Sequence, residues 1–138
     1  MITMLLQASL PMTLGAIGPQ ALPPTGCAAF LWSRAERPEL VAMVGADAAT
    51  LRVQLAGKPV TLSRTAATGG GTRGFRSDST YAATGVTASL TMTTAERPDL
   101  ADGALVPDAL LTVTPAGQDT IVVPVGGMIG CALAREGK

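Results

Sequence analysis

From Cys27 onward, apolar and polar side chains alternate with a period of two. Leu51, Val53 and Leu55 alternate with Arg52 and Gln54, and Val60 and Leu62 with Thr61 and Ser63. Val86, Ala88, Leu90 and Met92 alternate with Thr87, Ser89, Thr91 and Thr93, and Leu111 and Val113 with Thr112 and Thr114. This is the pattern of antiparallel strands with one face on a core and a Thr-rich face toward water. Residues 27–33, 39–44 and 128–134 add further strands, and 121–125 is apolar on both parities up to Pro124, which predicts a strand ended or bulged by the proline. Ala56-Gly57 and Ala116-Gly117 supply tight turns. No stretch keeps a 3.6-residue apolar period for three turns. The expectation is an all-β domain, an antiparallel barrel or sandwich of about eight strands.

A self-comparison at an offset of 60 residues extends the pattern. Ala35-Glu36-Arg37-Pro38-Glu39-Leu40 matches Ala95-Glu96-Arg97-Pro98-Asp99-Leu100 with one conservative change, and residues 35–64 and 95–124 share ten identities in thirty positions. A real duplication predicts two pseudo-symmetric halves, each reading strand, E-R-P corner, strand, A-G turn, strand. Chance matching in an Ala-rich chain is the alternative. The corner has a local reason of its own, because a residue before proline is held extended and proline fixes the next φ.

The N-terminal quarter follows different rules. No charged side chain occurs before Arg34, so all twenty charged residues lie in the last 105 positions, about a fifth of them. The chain as a whole is 14% charged, and the deficit belongs to the leader rather than to the β domain. Residues 2–10 form a short apolar run that soon meets Pro11 and Gly15. A membrane-spanning helix needs about 20 apolar residues, so no integral span is expected. Residues 1–16 read as a signal peptide cleaved near 13–16, or as an apolar arm kept on the mature protein. Residues 17–26 form a Pro/Gly-rich lead-in, 27–134 the β domain and 135–138 a polar tail.

Cys27 and Cys131 are the only cysteines and bracket the β domain. Behind an export-type leader they predict a disulfide, which requires the first and last strands to be neighbours. Neither belongs to a C-x-x-C, so zinc and dithiol redox readings have no support. Phe30 and Trp32 share a parity and are expected to fill the core beneath the disulfide.

The chemistry of catalysis is thin. There is no His, which removes the commonest general base and metal ligand. A serine nucleophile would have to rely on Lys58 or Lys138, the only lysines. The carboxylates Glu36, Glu39, Asp99, Asp102, Asp108 and Asp119 sit in turn-like contexts, with no sign of a cleft between any pair. No catalytic residue, metal site or cofactor is assigned, and the chain is not expected to be an enzyme. Zero net charge argues against nucleic acid as a partner. The unusual local composition is Gly69-Gly70-Gly71-Thr72-Arg73-Gly74-Phe75-Arg76, which reads as a ligand loop with Arg73 and Arg76 as anion-binding forks, or as a mobile hairpin loop. Tyr81 is a further candidate partner contact.

Residues 49–64 followed by 74–81 resemble the strand-turn-strand and S-G-x-x-Y layout of the small periplasmic inhibitors of C-type lysozymes, which are β-barrels with a disulfide between early and late strands. The resemblance implies a barrel and an inhibitory contact. Asp78-Ser79-Thr80-Tyr81 lacks the Ser-Gly pair that makes that contact in the family, so no inhibitory residue carries over. The reading that results is a non-catalytic periplasmic or secreted binding module, with an inhibitor as one form of it, and a protein as its partner. The alternative is a structural or accessory subunit of a cell-envelope or surface assembly that keeps its apolar N-terminal segment.

Overall fold

The computed structural model describes residues 13–20, 22, 26–45, 49–100 and 102–132. Nine strands follow in chain order: β1 (Leu14–Gly15), β2 (Gly26–Ser33), β3 (Leu40–Gly45), β4 (Thr50–Leu55), β5 (Lys58–Thr68), β6 (Asp78–Ala83), β7 (Val86–Ala95), β8 (Gly103–Pro115) and β9 (Ile121–Ala132). There is no helix among the described residues, so none is long and apolar enough to cross a membrane. Each strand from β2 to β9 pairs antiparallel with the next, and β9 returns to β2. The result is a closed up-and-down barrel of eight strands, with β1 as an extra strand. Closure removes the exposed edges that an open sheet would present.

The interior is filled by one parity of every strand. On β7 and β8 large side chains face small or complementary ones, with Ala88 opposite Val113, Leu90 opposite Leu111 and Met92 opposite Ala109. At the closing seam Leu31 lies between Ala42 of β3 and Gly127 of β9, so two small residues flank it. A Cβ on Gly127 would run into the carbonyl of Phe30, which is why the seam needs glycine there. Leu31, Leu51, Leu62, Leu111 and Ile129 are among the largest fully buried side chains.

Cys27 and Cys131 pair directly across the seam, with Cα atoms 4.0 Å apart, and their sulfurs are bonded. A cysteine pair at disulfide distance is compatible with an oxidising, exported compartment. Cys27 shares its parity with Ala29 and Leu31, which are fully buried. Phe30 and Trp32 therefore point outward and are half-buried, contrary to the expectation that they fill the core. On the outer wall Phe30 sits between Met43 and Met128, and Trp32 between Leu40 and Gly126.

Two further expectations change. The proline in β9 does not end that strand, which runs on through Gly126 and Gly127 to Ala132. The Pro124 carbonyl accepts from the Arg34 amide just past the end of β2. The position that lacks an N–H thus faces the side where no ladder partner remains, and the pairing to β8 is spared. β6 was not anticipated from the pattern, because its inward residues Ser79, Tyr81 and Ala83 offer little apolar contrast to Asp78, Thr80 and Ala82.

The 60-residue match does not become a structural repeat. Between the first E-R-P corner and its A-G turn lie two strands, β3 and β4; between the second corner and its turn lies only β8. Where the first segment reverses direction, the second bulges between Val106 and Ala109 and continues. The A-G turns consequently share one rim of the barrel, the upper rim, while the E-R-P corners lie at opposite rims. No two-fold axis maps corner to corner and turn to turn at once. At the first turn, Ala56 and Gly57 both take positive φ, 50° and 80°, which matches the twist of a tight hairpin.

β1 has a specific place. β3 and β4 are paired only from Met43 to Gly45 and from Thr50 to Arg52. Where they separate, Leu14 and Gly15 pair with Leu55 and Gln54 of β4, and the Ile17 amide donates to the Leu40 carbonyl of β3 at 2.8 Å. A cut near 13–16 would therefore remove part of the barrel wall. Residues 1–12, which hold the rest of the expected leader, lie outside the described residues, as does the 135–138 tail.

Candidate binding surface

The lower rim carries the β5–β6 connection (69–77), the β7–β8 connection (96–102) and the disulfide. Composition alone suggests that a run of four glycines in six positions is loose. Physically it is pinned. Phe75 is buried in the barrel core with 4% exposure, and its amide donates to the Thr72 carbonyl at 3.0 Å. Gly69 and Gly74 take φ of 85° and 88°, and Arg73 takes 56°, so the chain makes sharp left-handed bends around this anchor. A Cβ on Gly71 would meet the Phe75 carbonyl, so the loop closes tightly on itself.

Side chains lock the bends. Arg73 forms a two-pronged ion pair with Glu96 of the neighbouring connection, Nε to Oε2 at 3.0 Å and Nη2 to Oε1 at 3.1 Å. Thr72 donates to the same carboxylate, and the third guanidinium nitrogen of Arg73, Nη1, lies 3.7 Å from the Cys131 sulfur. Arg76 Nε donates to the Gly69 carbonyl at 2.6 Å, and the Met92 amide donates to the Ser77 carbonyl at 2.9 Å. The hydrogen bonds from Arg73 and Thr72 hold the Glu96 carboxyl below the ordinary carboxylate range. A depressed carboxylate contributes stability that is complete above its unfolded pKa and is lost as pH falls through the folded one. The clamp is therefore closed at neutral pH and opens only on acidification below the usual carboxylate range.

One consequence is measurable at neutral pH. Glu96→Gln removes the charge while keeping the shape, and the pair is partly exposed, so its effect on global stability is small. Tryptic cleavage after Arg73 and Arg76 in the folded protein is expected to rise a few-fold, with the barrel melting almost unchanged. Equal cleavage rates in the two proteins would mean that Glu96 does not hold the loop.

The three residues singled out from sequence thus have different fates. Arg73 and Arg76 come together in one ordered loop, but Arg73 is engaged by Glu96 and acts as a clamp rather than as an open anion fork. Tyr81 is corrected outright, because it faces the barrel interior at 3% exposure and cannot reach a partner. Burial raises its hydroxyl pKa, an effect partly opposed by the bond to Ser79 and the charge of Arg64. Sequence reasoning missed Phe75 as the anchor and Glu96 as the clamp's other jaw. The one large apolar side chain within the glycine run was the available signal for the anchor.

On the outer wall of β2, β8 and β9, the outward turn of Trp32 contributes to a groove of about 540 Å³ lined by Trp32, Pro38, Leu105, Pro107 and Gly126. Arg34 crosses it, donating to the Pro107 carbonyl and lying 3.9 Å from Asp108. The carboxylates singled out from sequence do not converge. Glu36, Glu39, Asp99, Asp102 and Asp119 are exposed outside the strands, and Asp108 lies at the β8 bulge. Among the described residues no three metal-ligating side chains come together. No family model, curated protein or solved structure matches this chain.

Proposed function

We propose that this chain is a non-catalytic, exported protein-binding module that engages its partner through the 69–77 loop, in the manner of an inhibitor. The observation that carries the reading is the loop's preorganisation. A loop already fixed by a buried aromatic, an ion pair and backbone bonds loses little entropy on binding, and its affinity gains accordingly. The outer parts of the loop, Gly69 to Gly71 and Arg76, are exposed. They offer backbone groups and one guanidinium on a rigid scaffold, an arrangement typical of binding loops.

Gly70 gives a clean test. A Cβ there meets nothing within 4 Å, so Gly70→Tyr should leave the melting temperature within about 2 °C, as surface changes usually do. The resemblance noted above makes a C-type lysozyme the first probe. Stoichiometric inhibition by the unmodified chain, lost in Gly70→Tyr and kept in Lys58→Glu at the upper rim, is the expected result. Inhibition that survives Gly70→Tyr would reject the loop as the contact, and no inhibition at all would reject the lysozyme.

A second reading, a structural or accessory subunit of an envelope or surface assembly, is favoured by one observation: the 14–17 segment is hydrogen-bonded on both sides within the barrel wall. Intact mass of the protein recovered from its source separates the two. A chain that still carries residues 1–12 supports the assembly reading, and a monomer starting close to Thr13 supports the binding module.

A further inference from the structure

The gap between β3 and β4 has the properties of a binding site with its ligand in place. Without residues 13–17, the outer edge of β4 at Gln54, Leu55 and Ala56 and the carbonyl of Leu40 would have no backbone partner there. An unpaired backbone group shut away from water costs about as much as a lost hydrogen bond. The segment satisfies both edges at once. Thr13 accepts from the Ala56 amide at 3.2 Å, Leu14 and Gly15 pair with β4, and Ile17 donates to β3. Leu14 packs against the core, and the bond from Arg52 to Gln20 at 2.8 Å fixes the exit of the segment. Main-chain bonds on two sides plus one apolar side chain in a pocket are the elements of strand addition.

We infer that this gap is a strand-receiving slot, and that it accepts residues 13–17 from a second copy of the chain as well as from its own. The ligand is an extended, uncharged peptide with an apolar residue at the Leu14 position and an amide free to donate at the Ile17 position. The connection supports exchange. Residues 18–25 span as much as about 26–29 Å when extended, enough to reach a neighbouring barrel in contact. Gly18 takes φ 79° with nothing within 4 Å of a Cβ there, a left-handed bend at the exit from the slot. No charge precedes Arg34, so two such connections do not repel. The inference deepens the assembly reading by supplying its joint, and it stands apart from the 69–77 loop.

The test uses the full chain with a protease site inserted after Gln20, folded and oxidised, then cut. The severed segment should stay with the barrel through gel filtration. A fluorescein-labelled peptide of residues 11–20 should then replace it with saturable, competable binding. Peptides carrying Leu14→Asp or Ile17→Pro should bind at least about tenfold more weakly, since each removes one of the two recognition elements. A second variant lacking residues 21–24, which leaves four residues between Ile17 and Gly26, should form a dimer by light scattering. A cut barrel that binds neither the peptide nor its own segment, or that binds a scrambled peptide equally well, overturns the slot. A monomeric 21–24 deletion overturns exchange between copies. The assembly reading itself is judged separately by the retained mass of residues 1–12.

Discussion

Replacing both cysteines, Cys27→Ser with Cys131→Ser, is expected to remove about 4–5 kcal/mol of stability. The bond closes a loop of 104 residues in sequence separation. In the chain-entropy account, freeing a loop of that size restores roughly that much to the unfolded state. For a domain of this length the melting temperature should fall by roughly 10–20 °C. The native structure loses little directly, since β2 and β9 remain paired over eight residues from Gly26 to Ser33. The variant should therefore keep its β spectrum while melting much earlier. Thermal unfolding followed by circular dichroism checks this, and a shift of less than 3 °C would mean that the seam closes without help from the bond.

Phe75→Ala is expected to be the most damaging single substitution on the lower rim, costing about 3 kcal/mol. Truncating a buried phenylalanine usually costs about 3–5 kcal/mol through lost burial and the cavity left behind. The lower value applies here because Phe75 enters from a loop that can relax into the space. Its more specific effect is on the loop, whose bends at Gly69, Arg73 and Gly74 lose the anchor they are built around. Urea unfolding should show the stability loss. Tryptic cleavage after Arg73 and Arg76 should rise by far more than in Glu96→Gln, since the latter removes one clamp and leaves the anchor. A Phe75→Ala protein whose loop resists trypsin as well as the unmodified chain would show that the ion pair, not the aromatic, fixes the loop.

Much of the barrel is legible in the sequence wherever one parity is apolar and the other is not. β7 is the clearest case, with Val86, Ala88, Leu90 and Met92 inside and four hydroxyl-bearing residues outside. The disulfide is legible as well. In Phe30-Leu31-Trp32 both parities are apolar, and the larger pair invites assignment to the core. Cys27 packs against the core, and Ala29 and Leu31, on the same parity, lie inside instead. β6 is illegible because its interior is lined by Ser79, Tyr81 and Ala83, residues that fit a crowded, partly polar interior without a hydrophobic signal. The E-R-P match is legible but misleading, because a turn in one segment corresponds to a bulge in the other, and the number of strands decides which rim each corner occupies. In the loop, only Phe75 distinguishes a pinned connection from a mobile one, since Glu96 lies twenty-one residues further along the chain.

The binding reading rests on a loop that is rigid before any partner arrives. Amide hydrogen exchange of the free, oxidised protein tests that most directly. The Phe75 amide, bonded to Thr72 beneath a buried ring, is predicted to exchange at least about a hundredfold more slowly than an unstructured amide. Exchange of Phe75 and its loop neighbours at the rate of an unstructured chain, with β7 and β8 still protected, would contradict the account.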